Sequence, residues 1–228
     1  MHYIFLILNN STSFLQGIFI KKKKNKTFSE MSVIHVLVQF TVEESATSEF
    51  LEIVEELQSK SRQESGCIFY TFVKTTQGLY RVVESWRDGF LDAHEASEHF
   101  TRLVPRLVKA GKLDYLRKSK VSTMKSLARP IIKSDMYLIV YVHIVDVDNF
   151  LIYAGELALL SCAEEGCVYY TCAELENATE DGSNFAFVEI WSSEEAVELH
   201  RQSEHCKRLI PLLDSVSSVK VVDQGLEV

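Results

Sequence analysis

The sequence predicts an α+β protein made of two consecutive ferredoxin-like βαββαβ units, each an antiparallel sheet with helices on one face. Three observations carry that reading. The chain of 228 residues repeats itself with a period of about 105 residues. Within each repeat, apolar residues follow strand and helix spacings in the same order. One strand of the second repeat is apolar on both sides, so its sheet needs a second cover.

The rare residues are the best witnesses of the repeat. "SGCIFYTF" (65–72) matches "EGCVYYTC" (165–172), and "VESW" (83–86) matches "VEIW" (188–191). "SEHFTRLVPRL" (97–107) returns as "SEHCKRLIPLL" (203–213), identical at seven of eleven positions. Both tryptophans, Trp86 and Trp191, fall at the same place in the unit. A period this long means tandem domains, set here at 31–120 and 135–225 with a linker over 121–134.

Each element follows from local pattern. Residues 33–42 are β-branched and apolar, hence a strand. In 45–65, Phe50, Ile53, Val54 and Leu57 recur at i, i+3, i+4 and i+7, a helix with one buried stripe. Gly66 ends it. "CIFYTFV" and "LYRVVESW" flank a "TTQG" turn and form a hairpin. Residues 90–111 read as helix, broken near Ser97 and again at Pro105, because an interior proline removes a helical N–H. "KLDYLRKS" is the closing strand. The second unit follows suit over 136–146, 147–164, 166–174, 184–192, 193–213 and 216–223. In its third strand Phe185, Phe187, Glu189 and Trp191 share one side and Ala186, Val188 and Ile190 the other. A second sheet packed face to face within the same chain would cover the extra apolar face, and would raise the buried fraction of two small domains.

Bulk properties exclude several classes. A net charge of −8 argues against a nucleic-acid partner, whose binding surface is basic. The five cysteines form no CxxC pair and read as free thiols of a reducing compartment, the cytoplasm. No HExxH or paired CxxC points to a metal, and no GxGxxG or P-loop to a nucleotide, so no cofactor is expected. Residues 1–30 differ in texture from the rest. Their apolar runs are too short to span a bilayer, and Lys21–Lys24 follow the apolar run instead of preceding it. This segment is read as a non-structural extension, with translation starting at Met31. A membrane-surface anchor is the alternative.

With the unit laid out, each copy resembles an antibiotic biosynthesis monooxygenase (ABM)-type domain of the dimeric α/β-barrel superfamily. The carrying pattern is G-C-x-x-Y (Gly66, Cys67, Tyr70; Gly166, Cys167, Tyr170). E-x-W follows (Glu84, Trp86; Glu189, Trp191), then H-x-x-S-x-H (His94, Ser97, His99; His200, Ser203, His205). In that family two single-domain chains pair through their sheets. The resemblance therefore implies an intrachain pseudo-dimer, a dimeric α/β barrel in one chain. It also implies a cofactor-independent monooxygenase acting on a small aromatic or quinol-type substrate. A non-catalytic ligand-binding or assembly module is an alternative, and an isomerase or stress-related enzyme on a small carbonyl compound is another. A haem-degrading branch of the superfamily carries a histidine about ten residues beyond His94. Val104 and Ile210 stand there, which disfavours that reaction.

The candidate site residues are weighed one by one. His94 and His200 can take a proton near neutral pH and are the candidate catalytic bases. The plain alternative is a half-buried histidine bonded to Ser97 or Ser203. His99 and His205 lie near a helix start, on a face shared with leucines, and read as scaffold. Glu84 and Glu189 lie on an apolar face, where an ionised unpaired carboxylate is costly. Each is a shifted acid or is bonded to a partner such as Arg81 or Arg87. Trp86, Trp191, Tyr70 and Tyr170 are candidates, with those two glutamates, for shaping the substrate pocket, although aromatics are common in strands and cores anyway.

Overall fold

In the computed structural model, residues 33–121, 127–175 and 182–228 are described. The expectations about residues 1–30, and about Met31 as the start, lie outside them.

The first copy runs β1 (Val33–Thr41), α1 (Thr47–Ser61), β2 (Cys67–Thr75), β3 (Tyr80–Arg87), α2 (Leu91–Glu95), α3 (Glu98–Ala110) and β4 (Lys112–Val121). The second runs β5 (Met136–Ile144), α4 (Val147–Ser161), β6 (Cys167–Glu174), β7 (Phe185–Trp191), α5 (Glu194–Gln202), α6 (Glu204–Val216) and β8 (Ser217–Glu227). The strands form one eight-stranded sheet in the order β4-β1-β3-β2-β8-β5-β7-β6. Each half repeats the same order, and all seven pairings are antiparallel.

The two halves pair through their sheets as expected, and the join is made edge to edge. Val73, Lys74 and Thr75 of β2 pair with Glu227, Leu226 and Gly225 of β8. The physical reason is the free edge: β2 has no further partner in its own copy, and its N–H and C=O groups need one. The sheet curls so that its inner faces still meet. Leu37, Phe69, Val73 and Val83 of one half pack with Tyr137, Tyr141, Val188 and Ile190 of the other. Strands β4 and β6 lie against each other at the far side, but among the described residues no ladder closes them.

The outer face of each half carries helices. Phe50, Ile53, Leu57, Leu103 and Leu107 cover Val36, Phe72, Val82 and Trp86 in the first copy. Phe150, Leu157, Cys206, Leu209 and Leu213 cover Leu138, Phe185, Phe187 and Trp191 in the second. The alternation read along β7 holds, with Phe185, Phe187 and Trp191 in the helix-side core and Ala186, Val188 and Ile190 in the inner core.

Polar groups stitch the halves together. Arg62 donates to both carboxylate oxygens of Glu227, at 3.2 and 2.8 Å, and Gln58 donates to the same group at 3.1 Å. Tyr169 Oη and His35 Nε2 lie 3.0 Å apart across the interior. The linker also contributes. Arg129 clasps buried Asp135 with both terminal nitrogens, and Leu127 and Ile131 pack on the inner core.

The helices break at Ser97 and Ser203 as expected, and continue through Pro105 and Pro211, where the sequence suggested a second interruption. Each proline forfeits one bond to the carbonyl four residues back, at Thr101 or Lys207. Both prolines and both of those residues are exposed, on the side of the helix where water can bind the freed carbonyl. No helix among the described residues is long and apolar enough to cross a membrane.

Two glycines give opposite expectations. A Cβ at Gly225 would overlap Lys74 O and the Val73 side chain at the junction of the halves. Gly225→Ala should cost about 1–3 kcal/mol. At Gly155, exposed on α4, a Cβ meets nothing within 4 Å. Gly155→Ala should stabilise by about 0.5–1 kcal/mol. Urea midpoints of the two variants would check both signs.

Candidate functional site

The site of each copy is built at the helix breaks. In the first, Gly66 with φ +93° turns the chain between α1 and β2, a conformation that favours glycine. Glu64 sits in that turn, where its carbonyl accepts from Cys67 N at 3.2 Å. Ser97 separates α2 from α3 and caps α3 by accepting from Phe100 N. His94 ends up on one side of that break and His99 on the other. Both rings point at Glu64. His94 Nδ1 lies 2.6 Å and His99 Nε2 2.8 Å from the same oxygen, Oε1.

The second copy repeats the cluster. His200 Nδ1 and His205 Nε2 each lie 2.7 Å from Glu164 Oε1. The expected bond from His94 or His200 to the nearby serine is not made. Ser97 and Ser203 approach His99 and His205 instead, at 3.3 and 3.2 Å.

This arrangement sets the tautomer. Glu64 accepts at Nδ1, so neutral His94 carries its proton there and its lone pair on Nε2. Burial pushes the His94 imidazole below its usual range, outweighing the opposing pull of Glu64. His94 Nε2 is buried and makes no hydrogen bond. Its nearest acidic neighbour is Glu84 Oε2, 4.0 Å away. His200 is likewise pushed down, chiefly by burial.

The carboxyls on the strand move the other way. Burial pushes Glu84 up to about 8, against the bond it accepts from Trp86 Nε1 at 2.8 Å. Glu189 is pushed up to about 7 for the same reason, against a bond from Trp191 Nε1 at 2.9 Å. The buried indole N–H and the buried carboxyl thus satisfy each other within one strand. Each site holds a depressed imidazole beside a raised carboxyl, the pattern of a base and an acid sharing one task.

Each pair faces an apolar cavity. In the first copy it has a volume of about 120 Å³, lined by Tyr70, Glu84 and His94 among Val36, Leu57, Val82, Val104 and Leu107. In the second it is a wider, more open cleft of about 440 Å³, lined by Tyr170, Glu189, His200, Cys206, Ile210 and two cations, Arg201 and Lys207. Tyr70 and Tyr170 reach the cavities from β2 and β6. Trp86 and Trp191 stand behind the histidines, ring centroids 4.3 and 4.5 Å away, and do not line either cavity. Val104 and Ile210, at the positions where the haem-degrading branch has its histidine, line the cavity walls.

The matched glutamates, Glu64 and Glu164, were missed in the sequence. The repeat comparison stopped at Ser65 and Glu165, and one more residue takes in an identical pair. His99 and His205 also belong to the cluster rather than to the leucine face alone.

The sequence profile described as "Antibiotic biosynthesis monooxygenase" matches residues 33–106 and 147–211. The chain belongs to this family. Among solved structures, a candidate monooxygenase from Lactobacillus acidophilus superposes with a TM-score of 0.67 at 20% identity, over 87% of this chain and 94% of that one. A second, from Fusobacterium nucleatum, gives 0.70 at 12% identity over 88% and 93%. An anthrone oxidase-like protein gives 0.57 at 16% identity over 88% and 92%. These likenesses show the fold, with both copies in one chain. No curated protein matches the sequence at a comparable level.

The raised carboxyl has a measurable consequence. A carboxyl shifted upward on folding keeps its proton longer in the folded than in the unfolded chain. Stability therefore falls as pH rises between about 4.5 and 8 for Glu84. The two imidazoles are shifted down from 6.5, so their opposite contribution is complete by about pH 7. Glu84→Gln removes the titration and keeps an acceptor for Trp86. Between about pH 7 and 9 it should lose less stability to urea than the parent chain. An equal loss in both would contradict a protonated Glu84.

Proposed function

We propose that this ABM-family protein is a cofactor-independent monooxygenase whose first copy oxidises a small aromatic or quinol-type substrate. The observation that carries the reading is the unpartnered Nε2 of neutral His94 on the wall of a partly open apolar cavity. Its Nδ1 is fixed by Glu64, so the ring cannot turn away. Nε2 takes a proton from the substrate and leaves an electron-rich anion in a dry site, where O₂ can accept its electrons. One oxygen atom enters the substrate and the other leaves as water with two substrate hydrogens. Tyr70 and Glu84 orient the ring, and Trp86 holds His94 from behind. A cavity of about 120 Å³ suits a single ring, since an apolar cavity of about 150 Å³ takes up benzene. His200, with Tyr170, Glu189 and Trp191, occupies the same place in the second copy. Five free thiols support a cytoplasmic setting.

A second reading, isomerisation of a small carbonyl compound, is favoured by one further observation. Glu84 stands 4.0 Å from His94 Nε2 and holds its proton into the neutral range. A base and an acid so placed can move a proton between two substrate atoms. An open cavity also weighs against pure assembly, for which side chains would fill the space.

The test is O₂ uptake with a panel of one-ring quinols and anthrone. His94→Ala should lower kcat/KM by about 100-fold or more, with a much smaller loss for His200→Ala. Unchanged turnover in the double variant would overturn the base assignment. Solvent deuterium entering a carbonyl compound without O₂ uptake would favour the isomerase.

A further inference from the structure

The two copies differ at one position of the shared cluster. Where the first has Phe100, its ring 4.9 Å from His94, the second has Cys206. Cys206 Sγ lies 3.6 Å from His200 Nδ1 and 3.4 Å from Nε2. The ligand-capable atoms of His200, His205 and Cys206 all lie within 4.8 Å of one another. Glu164 Oε1 lies beside the group, 2.7 Å from each imidazole.

We propose that Cys206, His200, His205 and Glu164 form a binding site for a divalent d-block cation, zinc by its donor set, in the second copy only. Two imidazoles, a thiolate and a carboxylate are the ligand types of four-coordinate zinc. Tetrahedral bonds of about 2.0–2.3 Å set ligand-to-ligand edges of about 3.3–3.6 Å. The Sγ–Nδ1 separation already has that length. The two N–O edges of 2.7 Å must open by about 0.6 Å, as protons bridging the carboxylate give way to the ion.

A cysteine nucleophile activated by His200 fits less well. Sγ is nearly equidistant from both ring nitrogens, so it does not lie along the in-plane lone pair of Nε2. Burial also pushes the thiol up, away from thiolate. A cation would take its proton: one is released per ion bound, and the imidazole protons move to the opposite ring nitrogens. The charge then closes, two positive against one thiolate and one carboxylate. The cleft beside His200 gives the ion a way in.

In the first copy Glu64, His94 and His99 also lie within 4.8 Å of one another, but that cluster has no sulfur. Its cluster keeps hydrogen-bond protons where the second would hold a metal. This assignment does not rest on the oxygenase reading, and it leaves His94 as that reading's base.

The test is a titration of the full, chelator-stripped chain with Co²⁺, displaced afterwards by Zn²⁺. About one ion per chain is expected, with near-ultraviolet absorption from a cobalt–thiolate bond. Cys206→Ser should abolish that absorption and weaken binding at least about tenfold, with circular dichroism checking the fold. Phe100→Cys should raise the capacity toward two ions. X-ray absorption of the zinc-loaded native chain needs no variant and should give one sulfur among nitrogen and oxygen ligands. No binding by the native chain, cobalt–thiolate absorption that persists in Cys206→Ser, or a zinc shell without one sulfur would each overturn the proposal.

Discussion

The structure depends on one constraint: each copy's sheet presents apolar side chains on both faces. Helices cover the outer face, as Phe50, Leu57 and Leu103 do in the first copy. Nothing within a single copy can cover the inner one. Leu37, Val83, Tyr137 and Ile190 would face water if the copies separated. The tandem arrangement removes that exposure and also satisfies the bare edge of β2. The same β8 that completes the second copy's sheet carries Glu227, which binds Arg62 and Gln58 of the first. Apolar burial and edge pairing thus select the same geometry.

That geometry leaves the helix side of each sheet free for chemistry. The inner face is filled with side chains. The outer one is interrupted where the short helix breaks from the long one. At that break a single carboxylate oxygen gathers two imidazoles from two helices. The carboxylate decides which nitrogen of His94 carries the proton, and burial keeps the ring neutral. Trp86 and Glu84 satisfy each other on the strand beneath. Glu64, Glu84 and Trp86 all have hydrogen-bond partners in it, whereas His94 Nε2 has none.

Duplication also allows divergence. The Glu–His–His cluster occurs in both copies with nearly the same distances. Its surroundings do not match. Phe100 closes the first over a small apolar cavity, while Cys206, Arg201 and Lys207 leave the second wider and more polar. Two sites made from one plan can therefore serve different chemistry without disturbing the shared core.

Periodicity and repetition were enough to read both units, their helices and strands, and the need for a second cover on the sheet. These are local properties, set by spacing along the chain. The candidate bases, the raised glutamates and the tyrosines were also legible, because rare residues repeat at matched positions. The edge-to-edge join was not, since pairing β2 with β8 depends on residues at least 150 apart. Nor was the continuation of the helix through Pro105, which turns on which carbonyl faces solvent. Glu64 stands thirty residues from His94 in the chain. Only the turn at Gly66 and the break at Ser97 bring them together. Local pattern settles two copies of one βαββαβ unit and part of the candidate residues of each site. Tertiary structure decided how the sheets join and which atoms meet, because edge pairing and shared hydrogen bonds are contacts between distant parts of the chain.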